Sequence, residues 1–150
     1  MKTFVSALLL SSVSANASYT TVDNGPTWSI SYSNSKFNFV IENVASNSEF
    51  ILAFGNDAAN TQTDIVSFQA LGNGVLTDKF GTFSSASTTG DTNSWTNVGV
   101  TTNNNMYKWT ASRAASATTA SKDVSFNCGT SQQFMWKTTN PSTSTGSWTL

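Results

Sequence analysis

Histidine is absent from this 150-residue chain. Its absence removes the commonest general base, every Ser-His-Asp or Cys-His arrangement and every histidine-containing metal site. The single cysteine, Cys128, excludes an internal disulfide and any cysteine-based zinc or iron–sulfur centre. Charged side chains make up 10% of the residues, against about 25% in an ordinary globular protein. Without clustered Lys and Arg there is no electrostatic footprint for nucleic acid and no attraction to anionic lipid. No Gly-rich loop followed by Lys is present to cradle phosphate. Eight acidic residues occur, but no spacing singles out the carboxylate pair that a hydrolase needs. The sequence therefore predicts a protein that is not an enzyme.

Met1–Ala15 has a basic start at Lys2, an apolar centre from Phe4 to Leu10 and a small-residue end. This pattern predicts a secretory signal peptide cleaved after Ala15 or after Ala17, because its apolar run is far shorter than the ~20 residues of a membrane span. A secreted, extracellular protein with residues 16–150 as one domain is expected. Loss of Lys2 takes the formal charge from −1 to −2. Ser142–Leu150 lacks the apolar tail of a lipid-anchor signal. Asn16-Ala17-Ser18 is an N-glycosylation sequon that survives cleavage after Ala15, whereas Asn140 is disqualified by Pro141. The Ser/Thr-rich stretches at 84–92, 115–121 and 142–145 suit O-glycosylation by composition. Cys128 has two readings, an intermolecular disulfide or a thiol buried with Val124 and Phe126 on one strand face.

Strand periodicity dominates what remains. Trp28, Ile30 and Tyr32 alternate with serines, and Phe37, Phe39 and Ile41 alternate after an Asn34-Ser35 turn. Two apolar runs, Phe50–Phe54 and Ile65–Leu71, flank a polar loop, and Gly72-Asn73-Gly74 turns the chain into a strand from Val75 to Phe83. Ser84–Asn93 has the composition of a loop. Trp95–Thr102 and Met106–Arg113 form a hairpin around Asn103-Asn104-Asn105, with Tyr107, Trp109 and Ala111 sharing one face. Val124–Cys128 and Gln132–Thr138 are expected to pair around Gly129, with Pro141 onward as a tail or edge strand. The sum is an all-β, antiparallel, immunoglobulin-like sandwich of about nine strands.

The stretch from Phe50 through Ala53-Phe54-Gly55 to Asp64 resembles a DOMON domain, and Leu76-Thr77-Asp78-Lys79-Phe80 continues the likeness until about Asn105. The resemblance implies an extracellular β-sandwich that binds haem or sugar. Haem-binding members use a Met in the loop before the strand-opening Asp and a later His. Here Asn60-Thr61-Gln62-Thr63 holds no Met and no His follows, so haem b held by a Met/His pair is not expected. Met106 and Met135 lie on strands, where gap-filling is the ordinary role. Asp64 at the family position either caps backbone N–H groups or meets a ligand at the loop end of the sandwich. Asn56, Asp57 and Asn60 are the ligand-binding candidates beside it. These four could hold Ca2+ through oxygen, but their spacing matches no established calcium loop, so no metal or other cofactor is assigned.

Five tryptophans are present, and packing accounts for at least three. Trp95 and Trp148, beside Ser/Thr/Gly/Asn-rich loops, are the candidate platforms for a sugar ring. The expected function is a secreted carbohydrate-binding module. The alternative is a structural or adhesive subunit of an extracellular coat, matrix or filament. An electron-transfer domain is third.

Overall fold

The computed structural model describes residues 16–20, 26–54, 63–70, 73–83, 88–90, 94–116, 122–126, 131–138 and 143–149. Met1–Ala15, Asn56, Asp57, Asn60 and Cys128 lie outside the described residues. Eleven strands are described: β1 Asn16–Thr20, β2 Thr27–Ser33, β3 Lys36–Ala45, β4 Glu49–Phe54, β5 Thr63–Gln69, β6 Val75–Gly81, β7 Thr88–Gly90, β8 Trp95–Asn103, β9 Met106–Ala114, β10 Ser131–Thr138 and β11 Thr143–Thr149. They form two antiparallel sheets, one ordered β1-β2-β3-β9-β8 and the other β11-β10-β4-β5-β6-β7.

Asparagine replaces glycine as the turn residue in the first sheet. Asn34 and Ser35 have φ of 52° and 59°, and Asn104 and Asn105 have φ of 49° and 61°. Two consecutive positive φ values make the tight hairpin turn whose twist matches the strands it joins. These turns set the registers Ser33↔Lys36 and Asn103↔Met106. Asn is one of the few side chains that occupies this region at small cost.

The core lies between the two sheets and is mainly aromatic. Trp28, Phe37, Phe39 and Trp109 of the first sheet face Phe50, Phe54, Phe68 and Phe134 of the second. Trp28 meets Phe134 edge-on at 4.7 Å, and Phe68 meets Trp109 at 5.9 Å. Such contacts are worth about 0.5–1.5 kcal/mol each beyond burial alone. A second apolar cluster of Ala53, Ile65, Phe83 and Met135 covers part of the outer face of the second sheet. Lys137 fastens it by donating to the Phe83 carbonyl at 2.7 Å and lying 4.8 Å from the Phe83 ring centre.

Three elements differ from the sequence expectation. β1 and β7 add strands where short, polar sequence carries little alternation. The last hairpin is β10 with β11, paired from Ser131↔Thr149 to Lys137↔Thr143. Residues 124–126 are not a strand, because their backbone groups bond elsewhere. The Val124 N–H goes to Asp64, the Val124 carbonyl accepts from Arg113, and the Phe126 N–H goes to the Ala115 carbonyl. Phe126 is thereby inserted between the sheets, against Phe37 at 4.9 Å and Phe54 at 5.2 Å.

Candidate functional site

Strand β9 reaches two contrasting regions. Its inward face carries Tyr107, Trp109, Ala111 and Arg113, alternate residues of one strand. Tyr107 and Arg113 are six residues apart, about 20 Å along an extended strand.

At one end Arg113 crosses from the first sheet to the second. It is 1% exposed, so its guanidinium has to be paired within the protein. Its Nη1 lies 2.6 Å from Asp64 Oδ2, and its Nη2 lies 3.4 Å from Asp123 Oδ1 and donates to the Val124 carbonyl at 3.2 Å. The rings of Phe126 and Trp95 flank it at 5.1 and 5.8 Å. Asp64 Oδ2 also accepts the Val124 N–H at 2.8 Å. Asp78, on the next strand, accepts both the Ser94 N–H at 2.8 Å and the Ser94 hydroxyl at 2.7 Å. Burial pushes the Asp64 carboxyl up to about 6, against the lowering influence of Arg113 and the Val124 N–H, and Asp78 adds to the rise. Burial also raises Asp78, although Ser94 and Arg113 oppose it.

This geometry places the sequence candidates. Asp64 caps a backbone N–H, as its position at a strand start suggests, and it is also half of a cross-sheet ion pair. Trp95, expected as an exposed platform, is 4% exposed and packs edge-on against Phe39 at 4.9 Å. Its inward position in β8, opposite Arg113, makes it a core residue rather than a sugar platform. Trp148 lies in β11 opposite Gln132, and Asn16 lies in β1 opposite Ser31. Met135 fills the outer apolar cluster, while Met106 is exposed.

At the other end of β9 lies an open groove of about 490 Å³ lined by Glu42, Asn43, Thr101, Asn103, Met106 and Lys108, with Asn104 and Tyr107. A second hollow of about 310 Å³ adjoins it around Ser46, Thr102 and Asn105, sharing Asn103, Asn104 and Tyr107. A bulge in β3 between Ile41 and Val44 builds the near wall. Asn43 in that bulge has φ of 61°, and the extra residue re-aims the strand where it borders the groove. The Asn103–Met106 turn builds the far wall and is tied down by the Ser46 N–H to the Asn105 carbonyl at 2.9 Å. Tyr107 stacks on Trp109 at 5.5 Å, with their planes 23° apart. Glu42 and Lys108 form an ion pair across the groove with both side chains about half exposed, which contributes little to stability. What the groove offers is amides, hydroxyls, one aromatic residue and one charge pair.

Sequence reasoning placed the Asn103–Asn105 turn but did not assign it a site. The available signal was the concentration of asparagines beside Thr101 and Tyr107. Arg113 was also missed, although its position continues the inward parity of Tyr107, Trp109 and Ala111. No protein-family model matches this chain, and no curated protein is significantly similar to it.

Proposed function

We propose that the protein is a secreted, non-catalytic module that binds carbohydrate in the groove beside the β8–β9 turn. The observation that carries this reading is the lining: Asn43, Asn103, Asn104 and Thr101 beside Tyr107 and Met106. Amide and hydroxyl groups both donate and accept, which suits sugar hydroxyls. An aromatic residue at a rim suits the apolar face of a pyranose. The groove volume falls within the usual range for small-ligand sites, about 300–1,000 Å³. The all-β, two-sheet architecture agrees with the DOMON resemblance, and an immunoglobulin-like arrangement is part of the same reading. Cleavage after Ala15 would keep β1 whole, whereas cleavage after Ala17 would remove Asn16 and Ala17, two residues of its ladder with β2.

A glycan array followed by titration calorimetry tests the proposal. Binding of at least one glycan, weakened by Asn103→Ala or Thr101→Ala without loss of stability, supports it. Absence of binding across the array would overturn it.

A second reading, self-association as a structural or adhesive subunit, is favoured by β8. This nine-residue strand ends its sheet, carries no charge in WTNVGVTTN and leaves Val98 43% exposed. Uncharged edge strands template pairing with another chain. Light scattering separates the readings: a monomer favours the groove, and a growing assembly favours the edge.

A further inference from the structure

We propose that Asp64, Asp78 and Asp123 form a binding site for a divalent cation, with Ca2+ the ion their chemistry suits. The site is distinct from the groove and does not depend on the carbohydrate reading. One oxygen from each carboxylate lies within 4.8 Å of the other two. Ca2+ holds oxygen at about 2.3–2.6 Å, so ligands on opposite sides of the ion stand about 5 Å apart, and this spacing fits.

Charge and hydrogen bonding point independently to an added cation. Three carboxylates gather about the Arg113 guanidinium in a buried place, and a divalent ion would offset their mutual repulsion. Asp64 Oδ1 and Asp78 Oδ1 are buried and have no hydrogen-bond partner, while Asp64 and Asp78 are only 2% and 4% exposed. A buried polar atom left unpaired is costly, more so on a charged group. The other oxygen of each is fixed, Asp64 by Arg113 and Val124 and Asp78 by Ser94. The free oxygens are therefore held in place before any ion arrives. An all-oxygen, all-carboxylate set selects a hard cation over zinc or copper. Mg2+ dehydrates reluctantly and keeps several waters, which so enclosed a site disfavours.

The test uses the full chain, stripped with chelator and dialysed. Calorimetry with Ca2+ is expected to show one site per chain. Tb3+ in its place is expected to luminesce on excitation of tryptophan, since Trp95 flanks the cluster, and excess Ca2+ should quench the signal. The melting temperature should rise when Ca2+ replaces EDTA. Asp78→Asn is expected to weaken Ca2+ binding at least tenfold while the far-ultraviolet circular dichroism is unchanged. The wild-type titration stands even if that variant fails to fold. No heat, no terbium signal and equal melting temperatures at millimolar Ca2+ would overturn the proposal, leaving bound protons to settle the charge. Tb3+ binding unaffected by both Asp78→Asn and Asp123→Asn would also overturn it, because the ion would then sit elsewhere.

Discussion

Both ends of β9 gather polar groups but use them differently. Around Arg113 the groups are buried, charged and bonded across the sheets. Around Asn103–Tyr107 they are open to solvent, mostly neutral and bonded only enough to hold a turn. The difference is set by what else each end offers. Phe126, Trp95 and the 122–126 segment close over Arg113, so each charge there is removed from water and has to find a partner. At the opposite end a bulge and a tight turn shape the surface, and Asn43, Thr101 and Asn103–Met106 face solvent. Polarity alone therefore does not mark a binding surface; accessibility decides which polar cluster joins sheets and which faces solvent.

The largest expected effect comes from breaking the buried end. Arg113→Met leaves Asp64, Asp78 and Asp123 without their guanidinium, and truncating one partner of a buried ionic group costs about 3–5 kcal/mol. Urea denaturation should show a midpoint far below wild type. A loss no greater than for an exposed substitution would mean that the cluster contributes nothing to holding the sheets.

The pH dependence follows from the same end. In metal-free protein the folded Asp64 value of about 6 lies above its ordinary 3.8. The native state therefore binds more protons between these values. Its stability contribution is full below about pH 4 and is lost as pH rises through 6, roughly 3 kcal/mol in all. Glu49 acts in the opposite sense in the acid range. Burial raises it, but hydrogen bonds from Ser67 and Gln69 and pairing with Lys79 outweigh burial and hold it below the usual range. Denaturation of chelator-treated protein should show greater stability at pH 5 than at pH 8. Asp64→Asn should flatten that difference, and a rise in stability toward pH 8 would contradict the assignment.

Much of the scaffold was legible because its physics is local. Alternation in Trp28–Tyr32 and Phe37–Ile41 placed inward faces, the apolar run Phe50–Phe54 read as a buried strand, and Asn34-Ser35 and Asn103–Asn105 announced their turns. β1 and β7 were not legible as strands, and β11 was legible only as a tail or edge strand. Their sequences, NASYT, TTG and TSTGSWT, are short or largely polar, and each ends its sheet beside its neighbour in sequence, so little apolar alternation marks them. The 124–126 segment misled because Val124 and Phe126 alternate like a strand, yet long-range bonds to Asp64, Arg113 and Ala115 override that pattern. Asp64 was placed at a strand start from sequence. Its meeting with Arg113, Asp78 and Asp123 required the fold, since nothing local links residue 64 to residue 113.

An intermediate effect is expected where the open end is fastened to the core. Gly74 has φ of +75°, and a Cβ there would lie 2.7 Å from Val100 Cγ1. Gly74→Ala combines backbone strain with that clash and should cost about 1–3 kcal/mol. Loss of stability without loss of the groove's composition would separate support from binding. The smallest stability effects belong to the groove lining. Thr101→Ala and Asn103→Ala should each change stability by about 0.5 kcal/mol or less while lowering glycan affinity about 3- to 10-fold.

The most direct measurement of the contrast is a two-dimensional amide NMR titration with a glycan selected from the array. Shifts confined to Asn43, Thr101 and Asn103–Lys108 are expected, with Asp64, Trp95 and Arg113 unmoved. Shifts centred on Asp64 and Trp95, with the Asn103–Lys108 amides unchanged, would contradict the contrast.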